Sequence, residues 1–75
     1  MLSTKNQPGR FDCYSRLKPD EPYFILRAQD AEAADLVELW AVRAGSTGNC
    51  DPDKITEAMR TAEEMRKWPT RKWPD

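Results

Sequence analysis

An antiparallel helical hairpin is the fold this sequence predicts, and three observations predict it. Ala33, Leu36, Val37, Trp40, Ala41 and Ala44 follow one another at steps of three, one, three, one and three, the spacing of one face of a 3.6-residue helix. Ile55, Ala58, Met59, Ala62, Met65 and Trp68 lay down a second such stripe. Between them runs Gly45-Ser-Thr-Gly-Asn-Cys50, a loop by composition, too short for anything but an antiparallel return. The expected architecture is mainly α: helices at about 31–44 and 52–68, a short preceding helix at about 21–28, and irregular termini. An irregular arm (1–19), a helical domain (20–68) and a tail (69–75) divide the chain.

In the arm, Pro8-Gly9 and Pro19 break any regular element, and only Phe11, Cys13, Tyr14 and Leu17 offer apolar surface to tuck against the helices. Tyr23-Phe-Ile-Leu26 has strand composition, yet Asp20 as N-cap with Glu21 and Pro22 in the first turn starts a helix, and no partner strand is in view. A short helix over 21–28 is therefore expected. Asp30 suits the cap of the next helix and Gly45 the left-handed position just past its end. Asp51-Pro52 is a cap followed by a proline at the first helical position, and Pro69 stops the helix it opens. Glu63 with Lys67 and Arg60 with Glu64 are spaced to pair across a turn. The tail repeats Arg-Lys-Trp-Pro at 66–69 and 71–74, and Trp73 is either an exposed anchor for a partner or an anionic ligand, or it folds back on the hairpin or frays.

A chain of 75 residues buries barely enough apolar surface to offset its conformational entropy, so outside help is expected. Met1 to Pro8 has no apolar segment of a signal peptide, so Cys13 and Cys50 are expected reduced in a cytosolic setting. With no histidine and two distant cysteines, a structural zinc site is improbable, and no metal is expected. Self-association into a dimer or higher oligomer is the remaining source of stability. No apolar run spans a bilayer. Charge is segregated although the net is only -1. Lys5, Arg10, Arg16 and Lys18 outweigh Asp12 before residue 20; Asp20, Glu21, Asp30, Glu32, Asp35 and Glu38 outweigh Arg27 in the middle; Arg66, Lys67, Arg71 and Lys72 outweigh Asp75 at the end. Basic ends around an acidic middle favour ends that fold back, or protomers that meet head to tail, over a face for nucleic acid.

Catalysis is not expected: without histidine, acid–base work would fall to a shifted carboxylate or lysine, and Cys13 beside Asp12 lacks a base. Neither a Walker loop nor a dinucleotide fingerprint is present, and no cofactor is expected. Binding residues are better candidates. Arg27, Gln29 and Asp30 cluster before the first long helix, whose free N–H groups suit an anion, and Phe24 or Trp40 could stack on a base. The competing reading makes Asp30 a cap, pairs Arg27 with Glu32 or Asp35, and places Trp40 in the core. Glu32, Asp35 and Glu38 form an acidic stripe, either solvated or facing a basic partner.

The order Asp12-Cys13-Tyr14, Pro19-Asp20-Glu21-Pro22, Phe24, Leu26-Arg27-Ala28-Gln29-Asp30, Val37, Trp40-Ala41, then Ala58, Ala62, Met65 and Trp68 resembles a group of very small bacteriophage and prophage proteins of unassigned function. The likeness runs over about residues 11 to 68, and its most specific part is Leu-Arg-Ala-Gln-Asp with a tryptophan ten residues on. Those proteins often carry a proline soon after that run, where this chain reads Ala-Glu-Ala-Ala. The resemblance implies a phage-encoded accessory protein in the cytoplasm of the infected bacterium and supplies no activity. By analogy with other tiny phage proteins, the leading expectation is an inhibitor of a host defence factor that works by protein–protein contact. The alternatives are an oligomeric sponge for a signalling nucleotide, held by Arg27, Gln29 and Trp40, and a structural or assembly protein.

Overall fold

The computed structural model describes residues 3–11 and 13–73. Two α-helices form the predicted hairpin, α1 (Ala33–Thr47) and α2 (Pro52–Arg66), preceded by a single 3-10 turn at Tyr14–Arg16. Their antiparallel sense is visible at both ends. Arg66, closing α2, reaches Asp35 and Glu38 near the start of α1, while Gly45 near the end of α1 faces Ile55 near the start of α2.

The start of α2 follows its sequence signal. Asp51 Oδ1 accepts the Asp53 amide at 2.9 Å, with Pro52 at the first helical position. The regular helix ends at Arg66 rather than Trp68; the Trp68 amide still donates to the Met65 carbonyl at 3.1 Å, a tightened final turn ahead of Pro69. At this end Lys67 Nζ lies 3.3 Å from Glu64 instead of pairing with Glu63.

Both boundaries of α1 move relative to 31–44. Asp30 Oδ1 accepts from the Glu32 amide at 2.8 Å and its carbonyl from the Ala33 amide at 3.1 Å, so Asp30 closes a turn ahead of the helix instead of capping it, and α1 begins at Ala33 with Glu32 at the cap position and no side-chain cap. Gly45 does not end the helix. Residue 48 does, with φ +72°, a backbone that glycine adopts without strain. Gly45 instead sits inside α1, and a Cβ there would lie 3.7 Å from Ile55 Cδ1, an ordinary contact. Gly45→Ala is therefore expected to raise stability by about 0.5–1 kcal/mol, the usual cost of a mid-helix glycine, whereas Gly48→Ala should lower it by about 1 kcal/mol through backbone strain alone. Thermal melts of the two variants check the opposite signs.

The helix expected over 21–28 does not form. No regular hydrogen bonding runs through residues 21–27, and Tyr23, Phe24 and Ile25 are exposed. Eight residues rich in aromatic and β-branched types nucleate poorly and need a packed face to hold, which this segment lacks. Glu21 closes a local turn instead: its amide donates to the Lys18 carbonyl at 3.1 Å while its Oε1 accepts from the Lys18 amide at 3.1 Å. In the arm, Phe11 is half-buried under Arg10, whose guanidinium lies 4.6 Å from the ring centroid, whereas Cys13 and Tyr14 stay exposed. Tyr14 meets Tyr23 edge-on at 5.9 Å.

The seam between the helices is made of small residues. The fully buried apolar side chains are Ala33, Ala34, Ala41 and Ala62, with Val37, Ala44, Ile55, Ala58 and Met65 half-buried beside them. Small side chains let the two backbones approach closely and leave no room for large ones. The surface left exposed is correspondingly large, 6338 Å², against about 4700 Å² for a folded monomer of this mass. The radius of gyration, 12.9 Å, likewise exceeds the value of about 11.3 Å usual for this length.

Both basic ends turn back on acidic groups. Arg10 reaches Asp53 at 3.2 Å and Asp51 at 3.5 Å at the start of α2. The tail folds across the start of α1: the Lys72 amide donates to the Gln29 carbonyl and the Lys72 carbonyl accepts from the Ala31 amide, both at 2.7 Å, and Arg71 Nη2 donates to the Ala31 carbonyl at 2.7 Å. Asp12, Pro74 and Asp75, which enter the charge pattern and motifs above, lie outside the described residues.

Candidate interaction surface

Two surfaces stand out, and each arises from how α1 is seated. The sequence stripe on α1 spans a wide arc, and α2 covers only the part holding Ala33, Ala34, Val37, Ala41 and Ala44. Leu36 and Trp40, expected in the core, fall on the flank beside Leu39, each about 45% exposed. These three, with Arg43, Ala44 and Thr47, line an open depression of about 360 Å³. Trp40 is thus neither core nor free in water: Lys54 Nζ, from the first turn of α2, lies 5.6 Å from its ring centroid. Leu39, Arg43 and Thr47 were not singled out in the sequence, although Leu36, Leu39 and Arg43 recur at steps of three and four and mark a second line along the helix.

The second surface lies beside the start of α1, where Trp73 is 71% exposed; Phe24, 84% exposed, is in the irregular segment before it. Lys72, immediately before Trp73, is fixed through its backbone to Gln29 and Ala31 at a single isolated β-bridge, so the tryptophan directly follows a residue tied to the hairpin. Arg27 is exposed, and its carbonyl accepts the Asp30 amide at 2.9 Å in the turn before α1; Gln29 and Asp30 are half-buried.

Arg27, Gln29 and Trp40 are not gathered into one pocket. Neither Arg27 nor Gln29 lines the depression that holds Trp40, which lies about two helical turns into α1. Several amides around the start of α1 already have acceptors within the chain: Ala31 donates to Lys72, Glu32 and Ala33 donate to Asp30, and Leu36 donates to Glu32.

The acidic stripe is partly neutralised from within. Arg66 Nη2 donates to Asp35 Oδ1 at 2.8 Å and Glu38 Oε2 at 3.0 Å, while Nη1 lies 3.5 Å from Glu38 Oε1. The hydrogen bonds to Asp35 and then Glu38 hold the Arg66 guanidinium above its ordinary pKa. The sign keeps the arginine charged at every pH below that raised value, so on the arginine side the clamp persists throughout ordinary conditions. Of the stripe, Glu32 has no ion pair among the described residues.

Cys13 is exposed and Cys50 half-buried, both as free thiols. Among the described residues, no group of three or more Cys, Asp or Glu side chains is placed to hold a metal ion, and no helix is long and apolar enough to cross a membrane. Compared with protein-family models, curated proteins and solved structures, the chain matches none of them.

Proposed function

We propose that this chain is a non-enzymatic binding protein, phage-encoded and acting in the cytoplasm of an infected bacterium, which blocks a host protein by direct contact with Trp73 as the anchor. One observation carries the reading. Trp73 is 71% exposed, yet the residue before it is held by two backbone hydrogen bonds of 2.7 Å. A large aromatic side chain on an already ordered backbone loses little conformational freedom when a partner covers it, which is the property of residues that dominate binding energy at interfaces. The resemblance to small phage proteins supports the setting and favours a defence factor as the target. Nucleotide capture has no comparable support, since its three proposed residues do not converge within one chain.

The test is retention of bacterial lysate proteins on the immobilised chain, followed by affinity measurement on the protein retained. Trp73→Ala is expected to weaken that affinity by about 30-fold or more, the effect of losing a dominant anchor, with an unchanged thermal melt. Equal affinity in the variant, or retention of no protein, overturns the reading.

A further inference from the structure

We infer that the exposed flank of α1 is the interface of a two-fold dimer in which α1 packs antiparallel on α1 of a second copy. The surface at issue is separate from Trp73, so this inference stands or falls independently of the proposed function.

Its first support is exposed apolar surface. Leu36, Leu39 and Trp40, all about 45% exposed, concentrate apolar surface on one flank of α1. A second copy can cover it without any other component.

Its second support is the pattern of charge. Glu32 lies just before α1 and Arg43 eleven residues later, three helical turns on, so both fall on the line that carries Leu36 and Leu39. Neither has an ion pair among the described residues. The four are symmetric about a point midway between Leu36 and Leu39. A two-fold axis through that point sets Glu32 of each copy against Arg43 of the other, and Leu36 against Leu39. Antiparallel helices also oppose their dipoles favourably. This is the self-complementarity an isologous contact requires, with charges at the rim fixing register around an apolar centre.

The experiment is molar mass and dimer affinity of the full chain in solution by sedimentation equilibrium. The wild type is expected at twice 8.7 kDa. Glu32→Arg and Arg43→Glu should each weaken the dimer about tenfold or more by placing like charges face to face. The double exchange should restore it, and an equimolar mixture of the two single variants should recover it as a heterodimer. Both positions are on the surface, and helical circular dichroism confirms that each variant is folded. A wild-type mass of one copy at every concentration, a mass above two copies, or a dimer indifferent to the charge exchanges overturns the inference.

Discussion

Ala62→Leu is expected to lower the urea midpoint of unfolding by about 1 M or more. Ala62 is fully enclosed between α1 and α2, in a seam whose other fully buried side chains are alanines. Leucine adds three carbons to a place that holds none to spare, and overpacking of this kind costs about 1–3 kcal/mol, occasionally more. A core in a chain of this size rarely supplies more than about 3–5 kcal/mol, so the substitution removes a large share of the total. With a urea slope of about 1 kcal/mol/M for so small a protein, the midpoint shift follows. A midpoint unchanged or raised would mean that the helices part easily and that the small residues do not set their distance.

Asp51→Ala is expected to cost about 1 kcal/mol, within the range of about 0.5–2 kcal/mol for loss of a helix cap, and to lower the melting temperature by several degrees. The carboxylate has two uses: Oδ1 accepts the Asp53 amide at 2.9 Å, and Oδ2 lies 3.5 Å from Arg10. The second is exposed and contributes little. Asp51→Asn separates them, because it keeps the cap and removes the charge. It should stay within a few tenths of a kcal/mol of the wild type. A loss as large in Asn as in Ala would instead assign the effect to the contact with Arg10.

What could be read in the sequence were the features enforced by neighbouring residues. Asp51-Pro52 fixes where α2 starts because a side chain and a backbone amide two residues apart decide it. Pro69 sets its approximate end for the same reason. The two helices and their antiparallel return follow from apolar spacing and loop length. Choices between competing local signals were harder to see. Glycines at 45 and 48 are both acceptable ends for α1, and nothing in the neighbouring residues decides that the second, with φ +72°, is the one used. Asp20-Glu21-Pro22 is a valid helix start, but a start without a packed face does not propagate. The phase of α1 was out of reach, because its apolar arc is wider than a single partner helix can cover. Which part faces α2 is decided by the alanines of both helices together. The chain's own neutralisation of Asp35 and Glu38 depends on Arg66, about thirty residues away, and nothing in the spacing announces it. That Arg27 and Trp40 do not share one depression within a chain has a related cause, since they are thirteen residues apart and the turn at Asp30 intervenes.

The joint between the tail and the start of α1 is made mainly by main-chain atoms: the amide and carbonyl of Lys72 meet the carbonyl of Gln29 and the amide of Ala31. Such a fastening is indifferent to the identity of the side chains that flank it, proline at either amide excepted. The 44 residues from Gln29 to Lys72 are thus closed into a ring whose clasp mutation can scarcely reach. Natural variants are free to recolour the outside of that clasp, at positions 29, 31, 72 and 73, and so to change what is recognised there while the ring stays shut.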